Sequence, residues 1–155
     1  HPYSASASQR DGGRNGDLKL CSIGMNSTNQ PLQALEASIQ LARQNFEEAK
    51  TDLALKHIKE GLQIDEYNAQ LLEIAASTHL RSNNNIEAIT YAQKLITHHP
   101  RNPHGYSRHA QALLQQKQPF DANQMALSGL QEAPHNQQLL ALASESYQAL
   151  ERWDQ

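Results

Sequence analysis

Four of the eight histidines, His98, His99, His104 and His109, fall in one short stretch, and clustered neutral imidazoles are the usual raw material of a transition-metal site. Their spacing argues against a shared ion. His104 and His109 are five residues apart, about 140° around a helix, whereas a pair four apart shares a face. No carboxylate or cysteine lies among them, and Pro100 and Pro103 break the run. His98 and His99, near a helix C-terminus, suit the dipole there and a polar surface. The paired carboxylates Glu47-Glu48 and Asp65-Glu66 stand where a solvated helix start or turn puts them. The chain has no Gly-rich phosphate loop, no nucleophile elbow and no His-Glu-x-x-His helix. The expectation is a non-catalytic chain with no catalytic residue, no metal ligand and no cofactor.

The 155 residues suffice for one domain, with 13 basic and 16 acidic side chains and a net charge of -3. No Lys/Arg block appears, so nucleic acid is not an expected partner. No apolar stretch approaches the roughly 18 to 20 residues of a membrane span, and no charged leader with an apolar core is visible. A cytoplasmic location is expected, with no membrane insertion. Cys21 is the only cysteine, so neither an internal disulfide nor a cysteine zinc cluster can form. Residues 1–30 are rich in Ser, Gly and Asn, and only Leu18 to Ile23 gathers apolar side chains. Such a segment buries too little to offset its ordering entropy and reads as a flexible or vector-derived tail, with Met25 as a native start. A short strand at Leu18 to Ile23 is the alternative.

From Pro31 onward apolar residues recur at helical spacing and the breaks are short. Leu32, Leu35, Ile39 and Ala42 step by three or four along a first helix. A second is predicted over about Glu48 to Gln63, with Leu53, Leu55, Ile58 and Leu62 as its buried stripe. The third covers about Gln70 to Arg81 and ends at the polar run Ser82 to Asn85. Further helices follow over about Ile86 to His98, His104 to Gln116, Asp121 to Glu132 and Gln137 to Glu151. Pro100 and Pro134 act as stops, Pro119 lies in a connection, and Asn102-Pro103 opens the fifth helix.

A step of 34 residues runs through these helices. Ala42, Ala76 and Ala110 keep it, as do Ala54, Ala88 and Ala122, then Asn68, Asn102 and Asn136, then Pro100 and Pro134. Three ladders in one phase mark stacked helix hairpins. Alanine belongs where two antiparallel helices cross, because a larger side chain would hold the backbones apart. Gly61 and Gly129 alternate with Leu95 where one hairpin leans on the next. A longer echo joins GLQIDEYNAQLLEIA from Gly61 to GLQEAPHNQQLLALA from Gly129 at an offset of 68, so alternate hairpins are the closer relatives.

These residues resemble the tetratricopeptide repeat family. The matches are Leu41-Ala42, Ala54, Gly61 and Leu62, then Leu72, Ala76, Ala88 and Pro100, then Tyr106, Ala110, Leu113, Phe120, Ala122 and Pro134, and last Leu140, Ser144, Tyr147 and Trp153. His109 departs by standing where the family usually has leucine, and Glu66 by replacing the first repeat's terminal proline. The resemblance implies an all-α right-handed superhelix of tandem hairpins, with repeats over about 35–68, 69–102 and 103–136 and a partial one over 137–155. It also implies a concave groove lined by the first helix of each hairpin. That places Glu36, Ile39, Arg43, Phe46 and Glu47 in the groove, then Gln70, Glu73, Ser77, Leu80 and Arg81, then His104, Ser107, Arg108, Gln111, Leu114 and Gln115. Mixed polar groups around Ile39, Phe46, Leu80 and Leu114 suit a protein or peptide partner. Members that hold chaperone C-termini carry a clamp of lysines, arginines and asparagines. At those places this chain has Ile39, Arg43, Ile74, His104 and Arg108, of which only Arg108 would serve, so no strong binding of a chaperone tail is expected.

Three functions remain open at this point: an adaptor or scaffold, the repeat module of a larger bacterial enzyme, and a small secretion or pilus-assembly chaperone. The second rests on the stretch LITHHPRNPHGYSRHAQALL from Leu95, which looks like arrays preceding sulfotransferase or glycosyltransferase modules. The seventh helix carries Leu139, Leu140, Leu142, Tyr147 and Leu150 without a following helix to cover them. Self-association through that helix, or a longer native chain, is the expectation.

Overall fold

The computed structural model describes residues 29–154, with side chains as far as Arg152, and all its regular structure is helical. Helix α1 occupies 29–47. It is followed by α2 (Thr51–Ile64), α3 (Ala69–Arg81), α4 (Asn85–His98), α5 (Pro103–Gln115), α6 (Pro119–Glu132) and α7 (Gln137–Asp154). The readings attached to Met25, Cys21 and Leu18 to Ile23 lie outside the described residues, as does the side chain of Trp153; residues 29 and 30 are already helical. The largest boundary errors concern α2, which starts three residues later than expected, and α7, which runs three residues further, to Asp154; α6 starts two residues earlier than expected. Pro119 is the first residue of α6, where its missing N–H costs nothing.

Two kinds of turn alternate, and each repeats on the 34-residue step. Inside a hairpin the chain reverses through one residue in the left-handed region: Ala49 at φ 61°, Asn83 at 59° and Lys117 at 61°. The following amide reaches back to the fifth carbonyl before it, Lys50 to Asn45, Asn84 to His79 and Gln118 to Leu113, at 2.8–2.9 Å. This is the Schellman closure, which glycine or asparagine accepts more readily than alanine or lysine. Between hairpins the asparagine ladder supplies N-caps. The side chain of Asn68 accepts from Leu71 N–H, Asn102 from His104 N–H and Asn136 from Leu139 N–H, at 2.9–3.1 Å. The asparagines therefore recur because each repeat begins a new helix with orphan N–H groups to satisfy.

All six ladder alanines, Ala42, Ala54, Ala76, Ala88, Ala110 and Ala122, are fully buried. Between hairpins a small residue faces a leucine. A Cβ on Gly61 would stand 2.5 Å from Leu71 Cδ1, and one on Gly129 would stand 2.6 Å from Tyr106 Cβ and 2.9 Å from Leu139 Cδ1. At the middle junction the roles reverse. Leu95 occupies the glycine's place on the second helix, and Gly105 occupies the leucine's place on the first, where a Cβ would meet Ile96 at 2.9 Å and Leu95 at 3.3 Å. Leu71, Leu95 and Leu139 are each fully buried in this way.

Among the described contacts, α3 touches α5 and α5 touches α7, whereas α2, α4 and α6 have no Cα pair within 8 Å of one another. First helices thus form a close inner layer and second helices a splayed outer one, which bends the stack and leaves the first-helix side concave. One residue of the expected buried stripe of α2 proves to be surface. Leu53 is 44 % exposed, and Ala54, Ile58 and Gly61 form the buried line of α2, with Leu55 and Leu62 half-buried beside it. Phe120 and Tyr147 are 61 % and 58 % exposed. On α7, Leu139 and Leu142 are buried while Leu140 is exposed.

His109 is 7 % exposed and its Nδ1 has no hydrogen-bond partner; His79 likewise has a buried, unpartnered Nδ1. Burial holds both imidazoles below the usual histidine range near 6.5, the more distant Glu87 carboxylate opposing this slightly at His79. Because the folded values are depressed, the unfolded chain binds protons first as pH falls. Stability is therefore full above about pH 6.5 and declines below it toward the folded values. Thermal melts between pH 7.5 and 5 are expected to show a falling Tm, and His109→Leu is expected to flatten that slope; an unchanged slope would refute the assignment. The alternating seats carry a second prediction. Gly105→Leu alone is expected to cost about 1–3 kcal/mol through overpacking. Moving the leucine across the junction, Leu95→Gly with Gly105→Leu, is expected to recover part of this, with a favourable coupling of about 1 kcal/mol or more in urea unfolding. Strict additivity would show that the two positions do not share a seat.

Candidate functional site

Because successive hairpins are in phase, residues 34 apart on the first helices line up as rows across the concave face. One row is apolar, Phe46, Leu80 and Leu114. Beside it run Glu47, Arg81 and Gln115, and on the other side Arg43, Ser77, Gln111 and Glu145. A cavity of about 430 Å³ opens between α3, α5 and α7, lined by Leu80, Arg81, Gln111, Leu114, Gln115, Leu142 and Glu145. Leu80 and Leu142 are buried and Leu114 is half-buried, so these leucines form an apolar floor. Arg81 and Glu145 are exposed at its rim.

Arg81 is held from the side of the first hairpin. Its guanidinium lies 3.8 Å from the centroid of the Phe46 ring, and Nη1 donates to the Phe46 carbonyl. A cation over an aromatic face with a carbonyl acceptor nearby is a stable posture that leaves the remaining N–H groups free. Glu145 has no hydrogen bond or ion pair among the described residues.

A second cluster lies nearer the helix middles. Arg108 donates through Nε to Ser77 Oγ at 2.7 Å, through Nη1 to Gln111 Oε1 at 3.2 Å and through Nη2 to Glu73 Oε1 at 3.2 Å. His104 Nδ1 stands 3.9 Å from the same carboxylate oxygen. Arg108 and Glu73 are both mostly buried, so this ion pair ties α5 to α3 across the repeat junction. Its hydrogen bonds are internal, and breaking them would leave a buried carboxylate uncompensated.

Ser107, expected in the groove, is instead buried at 1 % exposure and donates to the His104 carbonyl, while most of the other expected groove residues divide into three groups. Leu80, Arg81, Gln111 and Leu114 meet at the cavity. Glu73, Ser77, His104 and Arg108 form the bridge, with Gln111 shared between the two. Ile39 and Phe46 pack half-buried on the first core cluster, and Arg43, exposed, donates to Gln70 at 3.4 Å. Leu142 and Glu145 line the cavity without having been assigned to the groove from the sequence. The signal was present, because they lie 34 residues after Arg108 and Gln111.

The histidines part company in space. His98 stacks on Tyr67 with ring centroids 3.6 Å apart, His99 Nε2 donates to the Tyr67 carbonyl at 2.6 Å, His104 faces Glu73 and His109 enters the core. Among the described residues, no three His, Cys, Asp or Glu side chains gather as a metal site, and no helix is long and apolar enough to cross a membrane. On the outer side, a cleft of about 560 Å³ lies between the splayed helices α2 and α4, bounded by Leu55, Ile58, Leu62, His79 and Tyr91.

No protein-family model and no curated protein matches the chain. Solved structures do. The first TPR domain of human RPAP3 matches with a TM-score of 0.73 at 22 % identity, over 79 % of this chain and 95 % of that one. The second TPR domain of human RPAP3, solved in complex with an HSP70 peptide, matches with a TM-score of 0.70 at 20 % identity, over 76 % and 98 %. An O-GlcNAc transferase from Thermobaculum terrenum matches with a TM-score of 0.70 at 14 % identity, over 76 % of this chain but only 22 % of the enzyme. The paired helices, the close inner and splayed outer layers and these likenesses agree on one architecture: the chain has the tetratricopeptide-repeat fold, tandem antiparallel helix hairpins wound as a right-handed α–α superhelix.

Proposed function

We propose that this chain is a non-catalytic interaction scaffold that holds a peptide or protein segment on its concave face. The observation that carries the reading is the cavity between α3, α5 and α7, where three leucines form a floor under a rim of Arg81, Gln111, Gln115 and Glu145. Its volume is within the range of pre-formed ligand sites, and an apolar floor with a few convergent polar groups is the usual make-up of one. The splayed outer helices favour the concave side, because only there do three successive hairpins present in-phase side chains to one extended ligand. That similar folds have been solved holding HSP70 and HSP90 peptides supports the class of function. A cytoplasmic location is part of the same proposal.

The match to a segment of an O-GlcNAc transferase favours a second reading, in which the array is the repeat module of a larger enzyme and presents substrate to a catalytic domain. In both readings the array binds and the chemistry, if any, lies elsewhere.

Photo-crosslinking tests the surface. A photoreactive residue replacing Gln115 is expected to crosslink a partner in extract from the source cells, and the same residue replacing Leu53 on the outer face is not; the reverse pattern would overturn the concave-face reading. A separate expectation concerns ligand type. Arg108 is already engaged by Glu73, Ser77 and Gln111, so a peptide ending in a free chaperone-type carboxylate is expected to bind no better than millimolar in a fluorescence-anisotropy titration. Micromolar affinity abolished by Arg108→Ala would contradict this.

A further inference from the structure

We infer that the concave face is built for an internal stretch of a partner chain, in which an apolar side chain of leucine or methionine size sits between an acidic and a basic residue. This rests on the concave-face reading and adds the chemistry of the occupant.

Charge complementarity and the occupancy of the arginines argue for it together. A terminal carboxylate needs a free cationic clamp, and the charge of the central candidate, Arg108, is already neutralised by the mostly buried Glu73, with three of its five N–H groups donated to Ser77, Gln111 and Glu73. Two exposed charges flank the leucine floor instead: Arg81 on α3, steadied by the Phe46 ring and carbonyl, and Glu145 on α7, which has no partner among the described residues. Between them the lining is Leu80, Leu114 and Leu142 with the amides of Gln111 and Gln115. An extended segment crossing from α3 over α5 to α7 meets a cation, then an apolar floor, then an anion. Its complement is a carboxylate, an apolar side chain and a cation in that order along the groove. The glutamine amides are placed to bond the segment's backbone, whose N–H and C=O groups must otherwise lose water without replacement. A single-charge ligand would leave one rim charge unmatched, and a wholly apolar one would leave both.

The test is a random-peptide display selection against the full chain, using peptides tethered at both ends so that no free terminus is available. The expected result is enrichment of an acid, an apolar residue and a base at alternate positions (i, i+2, i+4), whose side chains share one face of an extended segment, in one chain direction. The charge-exchanged variant, Arg81→Glu with Glu145→Arg, changes only exposed positions and its fold is checked by circular dichroism and Tm. It is expected to enrich the triplet in the opposite charge order and to weaken the original peptides by about tenfold or more. Enriched peptides that crosslink to the photoreactive residue at position 115 yet ignore the charge exchange would overturn this inference while leaving the concave-face reading intact. Peptides that crosslink only on the outer face, or no enrichment at all, would overturn both.

Discussion

The seat between neighbouring hairpins, one glycine against one leucine, is the contact on which the rest depends. A helix hairpin alone cannot bury both faces, so each repeat is stable only at the distance its neighbour allows. With Gly61, Gly105 and Gly129 in place, each leucine reaches the facing backbone, and the first helices come near enough for α3 to touch α5 and α5 to touch α7. Everything on the concave side follows from that approach. Arg108 spans from α5 to Ser77 and Glu73 on α3 only because the helices are this close. Leu80, Leu114 and Leu142 form a continuous floor for the same reason.

The middle junction exchanges knob and hole without changing the spacing. Leu95 against Gly105 occupies much the same space as Leu71 against Gly61, so total volume is kept while its source moves to the other helix. Packing constrains the sum of the two side chains more tightly than either identity. This also gives the 68-residue echo a physical meaning. Junctions one and three place the glycine on the second helix, junction two on the first, and alternate repeats therefore share sequence more closely than adjacent ones.

Helix number, hairpin pairing and phase were legible in the sequence because they rest on periodic small residues, and a methyl at a crossing has few substitutes. The reading failed where two signals compete. Leu53 satisfies helical spacing, but the buried line of α2 runs through Ala54, Ile58 and Gly61, since close approach rather than hydrophobicity selects the buried face. Gly105 escaped notice because Leu95 was read as alternating with Gly61 and Gly129 on the second helices and not as half of a pair exchanged with the first. The left-handed Ala49 and Lys117 were invisible for a different reason: neither residue type announces a positive φ, and only the fixed length of the turn imposes it.

The candidate site divides along the same line. Positions on the inner face could be assigned from the phase of the repeats, which is why Leu80, Arg81, Gln111 and Leu114 prove to be neighbours at one cavity. What each side chain does there depends on whom it meets across a junction, and one sequence does not carry that. Arg81 and Arg108 are equivalent as sequence, both cationic and both on first helices. In the folded chain Arg108 is spent on a mostly buried carboxylate, whereas Arg81 rests on an aromatic face at the rim with donors to spare. Guanidinium groups in the first situation hold repeats together and those in the second are free to meet a ligand. Distinguishing structural from available charge in this way moves the proposed recognition surface toward α7, to Glu145 and Leu142, and away from the helix middles.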